Sequence, residues 1–435
     1  MRFLVQPGGR LRGRLRVPGD KSISHRALMF GAIARGRTRI DGLLAGEDVI
    51  ATMRALQALG ARIDFDSGAN RVEIDGRGPD VLHAPVAMLD LGNSGTSIRL
   101  LTGLLAGMGI GASLTGDASL RRRPMRRVTE PLARMGAVID CAAGGTPPVT
   151  IAPGHRLAGI DYTMPVASAQ LKSALLLAGL SARGRTCITE PAATRDHTER
   201  MLRRFGVTVH VNGNRACVDG GATLAGADVS VPADISSAAF FLVGASIAEG
   251  SDVVLEHVGI NPTRTGILDC LQAMGAAIQV RDARDWDREP TAELAVGSAP
   301  LRGIDVDPAL VPRAIDEFPA LAIAAACAGG RTRVSGAEEL RVKESDRIAG
   351  TAAGLRAIGI DCEPTADGLI VQGGRIRGGV VDSHGDHRLA MAFAIAALRS
   401  AGPIEILDCA NVATSFPGFV QAAAGLGLRI EVHAD

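Results

Sequence analysis

The sequence predicts a mixed α/β (α+β) fold of two similar domains, each assembled from three repeats, and three observations carry that prediction. The first is a recurring end-of-helix pattern: LQALGARI at 56–63, LARMGAVI at 132–139, LRRFGVTV at 202–209, LQAMGAAI at 271–278, LRAIGIDC at 355–362 and AAGLGLRI at 423–430. The glycines at 60, 136, 206, 275, 359 and 427 recur at intervals of 68 to 84 residues. Each stands where a helix ends in a residue of positive φ, a conformation glycine adopts without a Cβ penalty. The second observation is a series of six nearly all-apolar helical stretches, at 26–34, 97–107, 171–181, 237–248, 318–328 and 388–399. A helix apolar on every side must be buried on every side. The third is the set of β-rich runs that follow several of them, GRTRI, GRTCI and GRTRV. Each repeat therefore reads strand, buried helix, strand, amphipathic helix, strand. The period exceeds the roughly 20–50 residues of common solenoid repeats, so six units are expected to close into two compact domains rather than to stack.

Composition narrows the class. Of 435 residues, 46% are hydrophobic and 21% charged, which excludes disorder and coiled coil. A net charge of +1 does not suggest a nucleic-acid or membrane-surface binder. With 10 Phe, 1 Trp and 1 Tyr there is little from which to build a base-stacking platform. No apolar run reaches the roughly 18 residues of a membrane span, and the amino-terminal stretch lacks the apolar region of a secretory signal. Cysteines 141, 187, 217, 270, 327, 362 and 409 are odd in number and scattered, so neither zinc ribbons nor disulfide scaffolds are expected. A cytoplasmic globular protein is the expectation.

The amino ends of the buried helices hold the polar residues: Asp20, Lys21 and Ser22; Asn93, Ser94, Gly95 and Thr96; Ser168 and Gln170; Asp234, Ser236 and Ser237; Asp316 and Glu317; Asp386, His387 and Arg388. Asp, Asn and Ser are ordinary N-caps. The alternative is a set of helix N-termini aimed at an anionic ligand. Cations oppose the dipole at such a position, yet Lys21, Arg26, Arg99 and Arg388 lie in these first turns, so something negative is expected to compensate them. Lysine usage points the same way. Only Lys21, Lys172 and Lys343 are lysines among 47 basic residues, which marks positions where a compact or titratable cation is required. Lys172 falls in a buried-helix pattern, and its stem is expected to snorkel to the surface.

The run from Glu338 to Arg347 is dense in charge and reads either as a solvated face or as a site. In a helical turn Lys343 and Glu344 would share a face with Arg347. GDASLRRRPMRRV at 116–128 is a second basic cluster, suited to one phosphate or carboxylate as much as to a polyanion. His384 and His387 lack the context of a zinc site, and no Walker or nucleophile-elbow motif is present. What remains is an enzyme without metal or cofactor acting on small anions, with Asp316 and Glu344 as candidate acid and base.

At these residues the sequence resembles the 5-enolpyruvylshikimate-3-phosphate synthase family, the 3-phosphoshikimate 1-carboxyvinyltransferases. The resemblance runs through PGDKSISHRALMFGAIA, LGNSGTSIRLL, GDASLRRRPM, SAQLKSALLLAGL, DEFPALAIAAA, EELRVKESDR and GDHRLAMAFAIA, in order along essentially the whole chain. It implies the inside-out α/β barrel fold, two domains each of three βαβαββ-type repeats with a ligand cleft between them. The chain would cross between domains near residues 19–21 and 231–234, giving one domain of 1–20 with 234–435 and another of 21–233. The resemblance further implies that Lys21, Ser22 and Arg26 bind the shikimate hydroxyls and carboxylate, and that Ser168, Gln170 and Arg195 surround the 3-phosphate. Gly95, Arg123, Lys343, Arg347 and Arg388, with Lys21, would hold phosphoenolpyruvate. Asp316 would meet the attacking 5-hydroxyl as base, Glu344 would deliver a proton to the methylene carbon, and Lys21 could protonate the leaving phosphate. Shikimate 3-phosphate and phosphoenolpyruvate are the implied partners, with no cofactor, metal, nucleic acid or membrane, and a monomer is expected.

Ala169, Glu339 and Thr414 depart from residues that some relatives carry, a serine, an asparagine and a lysine. The related UDP-N-acetylglucosamine enolpyruvyl transferases have Lys-Asn where this chain has Lys21 and Ser22, and usually a cysteine in the loop that here reads GDASLRRRPM. A binding module without activity would be expected to have lost Lys21, Asp316, Glu344 or Arg388, and all four stand. Gly95 leaves room for glyphosate, an inhibitor of this family, although the rest of the chain resembles the tolerant subgroup. With ligands drawn from both halves, binding is also expected to pull the domains together.

Overall fold

The computed structural model describes residues 1–286 and 288–434. The chain divides into two compact units: an inserted unit, Gly19–Val231, and a terminal unit of Met1–Pro18 with Pro232–Asp435.

Six sheets are present among the described residues, three in each unit. Five have four strands, in which one parallel pair is followed by two antiparallel pairs, as in the sheet of Asp161–Thr163, Arg185–Thr189, Arg215–Asp219 and Val209–Asn212. The sixth has three strands, and single bridges from Arg302 to Gly329 and from Asp305 to Arg333 stand where a fourth would lie. Strands far apart in sequence close each unit. In the inserted unit, Asp228–Ser230 pairs in parallel with Arg35–Asp41. In the terminal unit, Arg2–Val5 lies between Ile404–Leu407 and Ile430–His433, and Arg12–Leu15 pairs with Asp252–Gly259.

The six buried helices are Lys21–Ile33, Gly95–Met108, Ala169–Gly179, Ile235–Ile247, Phe318–Ala326 and His387–Ala396. Most begin earlier than the apolar pattern alone indicates, so their polar residues form the first turn. Ile235–Ile247 is buried along its whole length. In the inserted unit, Gly103 and Gly107, one turn apart, let their helix lie directly against Ala169–Gly179. A Cβ on Gly103 would stand 2.2 Å from the Ala174 carbonyl oxygen, and one on Gly107 2.7 Å from Ala178 Cα. The terminal unit fills its centre with aromatic rings instead: Phe3, Phe240, Phe241 and Phe416 all pack on Phe419 or its neighbours at 5.5 to 6.5 Å between centroids. The amphipathic helices end as their glycines require, with positive φ at Gly60, Gly136, Gly206, Gly275, Gly359 and Gly427.

Two expectations are corrected. Cys187 and Cys217 form a disulfide, because the antiparallel register of their strands sets them directly opposite one another. Lys172 does not snorkel: its side chain is 2% exposed.

Among the described residues no helix is long and apolar enough to cross a membrane.

Candidate active site

Five of the six buried helices are capped by a side chain. Asp20 accepts from Ile23 N, Ser94 from Ser97 N, Ser168 from Leu171 N, Asp234 from Ser236 N and Asp386 from Arg388 N. These residues are N-caps, and the cap explains their type. The exception is Phe318–Ala326, whose preceding Glu317 makes no such bond. The Asp316 carboxylate, one residue further back, receives cations instead.

In the terminal unit three cations from two segments converge on Asp316. Lys343 Nζ lies 3.5 Å from Oδ1, Arg347 Nη1 3.3 Å from Oδ1 and Arg388 Nη2 3.9 Å from Oδ2. Arg347 is the hub. It also donates to Glu344 Oε2 at 2.6 Å and through Nε to Asp386 Oδ2 at 2.8 Å. Its side chain is 1% exposed. Burial works against its charge, but Asp386, Glu344 and Asp316 more than offset that and raise its pKa. Asp386 answers in kind: burial favours its neutral form, but the Arg347 charge, the His387 charge and the hydrogen bond from Arg347 together outweigh it, and the pKa is lowered. Asp386 thus carries three duties, capping its own helix, gripping Arg347 and accepting the Ser345 hydroxyl at 3.0 Å.

The run before Arg347 is not the continuous helical turn expected for Lys343 and Arg347. A 3₁₀ turn covers Glu338–Val342, Lys343 leaves helical geometry with ψ −149°, and Asp346 caps a new helix, Arg347–Ala357, by accepting Ala349 N at 3.0 Å. Glu344 and Arg347 meet at i,i+3 as expected, while Lys343 reaches Asp316 by way of the break.

In the inserted unit the helix starts Lys21, Gly95 and Ala169 bring a second group together. Lys21 Nζ pairs with Asp48 Oδ2 at 3.1 Å. Asp48 sits in the first turn of Glu47–Ala58, where an acidic side chain complements the helix dipole. Arg26 is buried, and donates to Thr198 Oγ1 and Ser173 Oγ at 2.7 Å each and to the Ser22 carbonyl at 2.8 Å. Gln170 joins two helices, accepting from Arg99 Nη1 at 2.8 Å and donating to Thr96 Oγ1 at 3.0 Å. Arg123 donates to Asn93 Oδ1 at 2.6 Å. Gly95 stands beside both arginines: a Cβ there would come 2.8 Å from Nη1 of Arg123 and of Arg99. Ser168 caps its helix with Oγ, and Arg195 is half-buried on the loop preceding His197–Arg204.

The structure therefore brings Asp316, Lys343, Glu344, Arg347 and Arg388 together within the terminal unit. Within the inserted unit Gln170 and Gly95 lie against the neighbouring arginines Arg99 and Arg123. Asp48, Arg99, Asp386, Ser173 and Thr198 were not singled out as site residues by sequence reasoning. Their only prior sign was position, in or beside helix first turns. Thr414, at one of the positions that depart from relatives, is buried and hydrogen-bonded to the Asn411 carbonyl at 2.7 Å. Among the described residues no group of three or more His, Cys, Asp or Glu could hold a metal ion.

The chain is similar to proteins of one family. The family model for EPSP synthase (3-phosphoshikimate 1-carboxyvinyltransferase) matches residues 5–422. A 3-phosphoshikimate 1-carboxyvinyltransferase of Alkalilimnicola ehrlichii is 62% identical over 431 residues, covering 99% of this chain and 96% of its own. That of Nitrosococcus oceani is 61% identical, covering 99% and 97%. The solved structure of EPSP synthase from Acinetobacter baumannii matches with a TM-score of 0.89 at 52% identity, over 100% of each chain.

Proposed function

Since the chain belongs to the EPSP synthase family, we infer that it transfers the enolpyruvyl (carboxyvinyl) group of phosphoenolpyruvate to the 5-hydroxyl of shikimate 3-phosphate and releases phosphate. The observation that carries the chemistry is Asp316 facing Lys343, Arg347 and Arg388 while Glu344 shares the same arginine. Such a cluster can both hold an anion and move a proton.

The reaction demands both. The 5-hydroxyl oxygen bonds to C2 of phosphoenolpyruvate, its proton leaves, and C3 gains one. The C2–O bond to phosphate then breaks as C3 gives its proton up. We assign Asp316 to the hydroxyl proton and Glu344 to C3. When a substrate carboxylate or phosphate engages Lys343, Arg347 or Arg388, the two protein carboxylates lose part of their cationic partnership and become more basic. Anion binding thereby readies the acid–base pair. In the inserted unit Ser168, Gln170 and Arg195 are assigned to the 3-phosphate, and Ser22 and Arg26 to the shikimate ring. Lys21, Gly95 and Arg123, with Lys343, Arg347 and Arg388 of the terminal unit, are assigned to phosphoenolpyruvate, and Lys21 is assigned the proton for the departing phosphate. Fixed cations of this kind stabilise charge that develops in the transition state without reorganisation.

The reading needs neither metal nor cofactor and places the enzyme in the cytoplasm as a monomer. Glyphosate inhibition follows from Gly95, whose missing Cβ leaves the two guanidinium groups undisturbed. Phosphate release from phosphoenolpyruvate, followed with and without shikimate 3-phosphate, tests the reading. Release that depends on shikimate 3-phosphate is expected; release without it, or none with both, overturns the assignment.

A further inference from the structure

A buried charge cluster that the mechanism does not use lies behind the residues assigned to shikimate 3-phosphate. Lys172 pairs with Glu190 and, at 2.7 Å, with Glu199; the three side chains are 2%, 5% and 4% exposed. An ammonium buried between two carboxylates is an arrangement costly enough that packing alone does not account for it. Burial works against the Lys172 charge, and Glu199 and Glu190 more than offset it, so the lysine is held charged.

Each partner also belongs to a segment that carries a site residue. Lys172 is the fourth residue of the helix that Ser168 caps, and Gln170 lies two residues before it. Glu190 follows the strand Arg185–Thr189, and its second oxygen accepts both the backbone N–H of Thr194, at 3.0 Å, and the Thr194 hydroxyl. That carboxylate closes the loop whose next residue is Arg195. Glu199 lies on His197–Arg204, where its neighbour Thr198 accepts from Arg26 and donates to Ser173, each at 2.7 Å. Ser173, in turn, is the neighbour of Lys172.

We propose that Lys172, Glu190 and Glu199 are positioning residues for the shikimate 3-phosphate subsite, clamping the Arg195 loop and the Arg26 support to the helix that presents Ser168 and Gln170. They touch no substrate. Their task is to fix the spacing of groups that do, since a binding group held out of place loses affinity for its ligand. The inference rests on the enolpyruvyl transfer reading above.

Glu190→Gln and Thr194→Val test it from the two sides of one tether. The amide is nearly the size of the carboxylate and leaves Lys172 neutralised by Glu199 alone, so the variant is expected to fold. With one acceptor oxygen instead of two, it cannot serve both Lys172 and Thr194. Each variant is expected to raise KM for shikimate 3-phosphate about tenfold while kcat and KM for phosphoenolpyruvate stay within about twofold, with the double variant no worse than either single one. Circular dichroism and thermal melting of the same samples report folding. A KM for shikimate 3-phosphate unchanged in folded variants, or both KM values rising together, would overturn the proposal. A wild-type enzyme inactive on the two substrates would overturn the underlying reading and this proposal with it.

Discussion

In the inserted unit Arg26, Arg99 and Arg123 donate to hydroxyls, backbone carbonyls and side-chain amides, whereas in the terminal unit Lys343, Arg347 and Arg388 face carboxylates. The two arrangements suit different tasks. A guanidinium held by such acceptors is fixed in direction for an incoming anion. One paired with a carboxylate yields its charge only as that carboxylate lets go, so binding an anion there changes the proton affinity of the carboxylate. The inserted unit's arginines are accordingly read as groups that only hold substrate, and the terminal unit's cations as groups that also set the proton affinity of Asp316 and Glu344. Lys21 with Asp48 stands apart from this contrast, a charge pair in the binding half, at a position where only lysine is assigned a proton.

The division is sharpest at Asp316. Asp316→Asn is expected to lower kcat by about 10²–10⁴-fold, the usual worth of a general base, without raising KM for phosphoenolpyruvate. Steady-state kinetics with each substrate varied checks this; a loss confined to KM would move Asp316 to the binding side. Lys21→Arg comes next. It keeps the charge and the fold but replaces a compact, titratable amine by a planar fork, and turnover should fall at least about tenfold. Near wild-type turnover would erase the special status of that pair. Gly95→Ala follows, since its methyl must displace the ends of Arg123 and Arg99. Inhibition curves should show glyphosate weakened about tenfold or more, and KM for phosphoenolpyruvate raised less. A wild type indifferent to the inhibitor would contradict the account of this position.

The smallest effect concerns stability. His25 is buried, with one ring nitrogen 2.8 Å from Thr52 Oγ1, and burial, then Lys21 and Arg26, holds its pKa well below the usual value of 6.5. Below that value the unfolded chain takes up a proton that the folded one refuses. Stability from this group is therefore intact above about pH 6.5 and declines on acidification, by up to about 1.4 kcal/mol per pH unit. His25→Gln should flatten that slope in melting experiments between neutral pH and pH 5. An unchanged slope would assign the acid sensitivity elsewhere.

What sequence could read was local. The positive φ at Gly60 or Gly275 and the caps at Ser94 or Asp386 are set by the residue and its nearest neighbours, so pattern alone finds them. Lys172 escaped because its partners are 18 and 27 residues away and only the packing of Ala169–Gly179 against the segment from Glu190 to Glu199 decides which way the stem points. Cys187 and Cys217 depend on strand register, which spacing does not reveal. Asp316 was legible as a candidate acid or base, but only the break at Lys343 and the distant Arg388 show which cations it faces. Glu344 with Arg347, three residues apart, was legible even though the surrounding turn was not helical in the expected way.

Glu344→Gln offers the most direct test of the division between binding and proton transfer. Turnover and equilibrium binding of shikimate 3-phosphate are measured on the same preparation. The account predicts turnover reduced at least about a hundredfold with the dissociation constant within about twofold of wild type. A dissociation constant that rises in proportion to the lost turnover would contradict it.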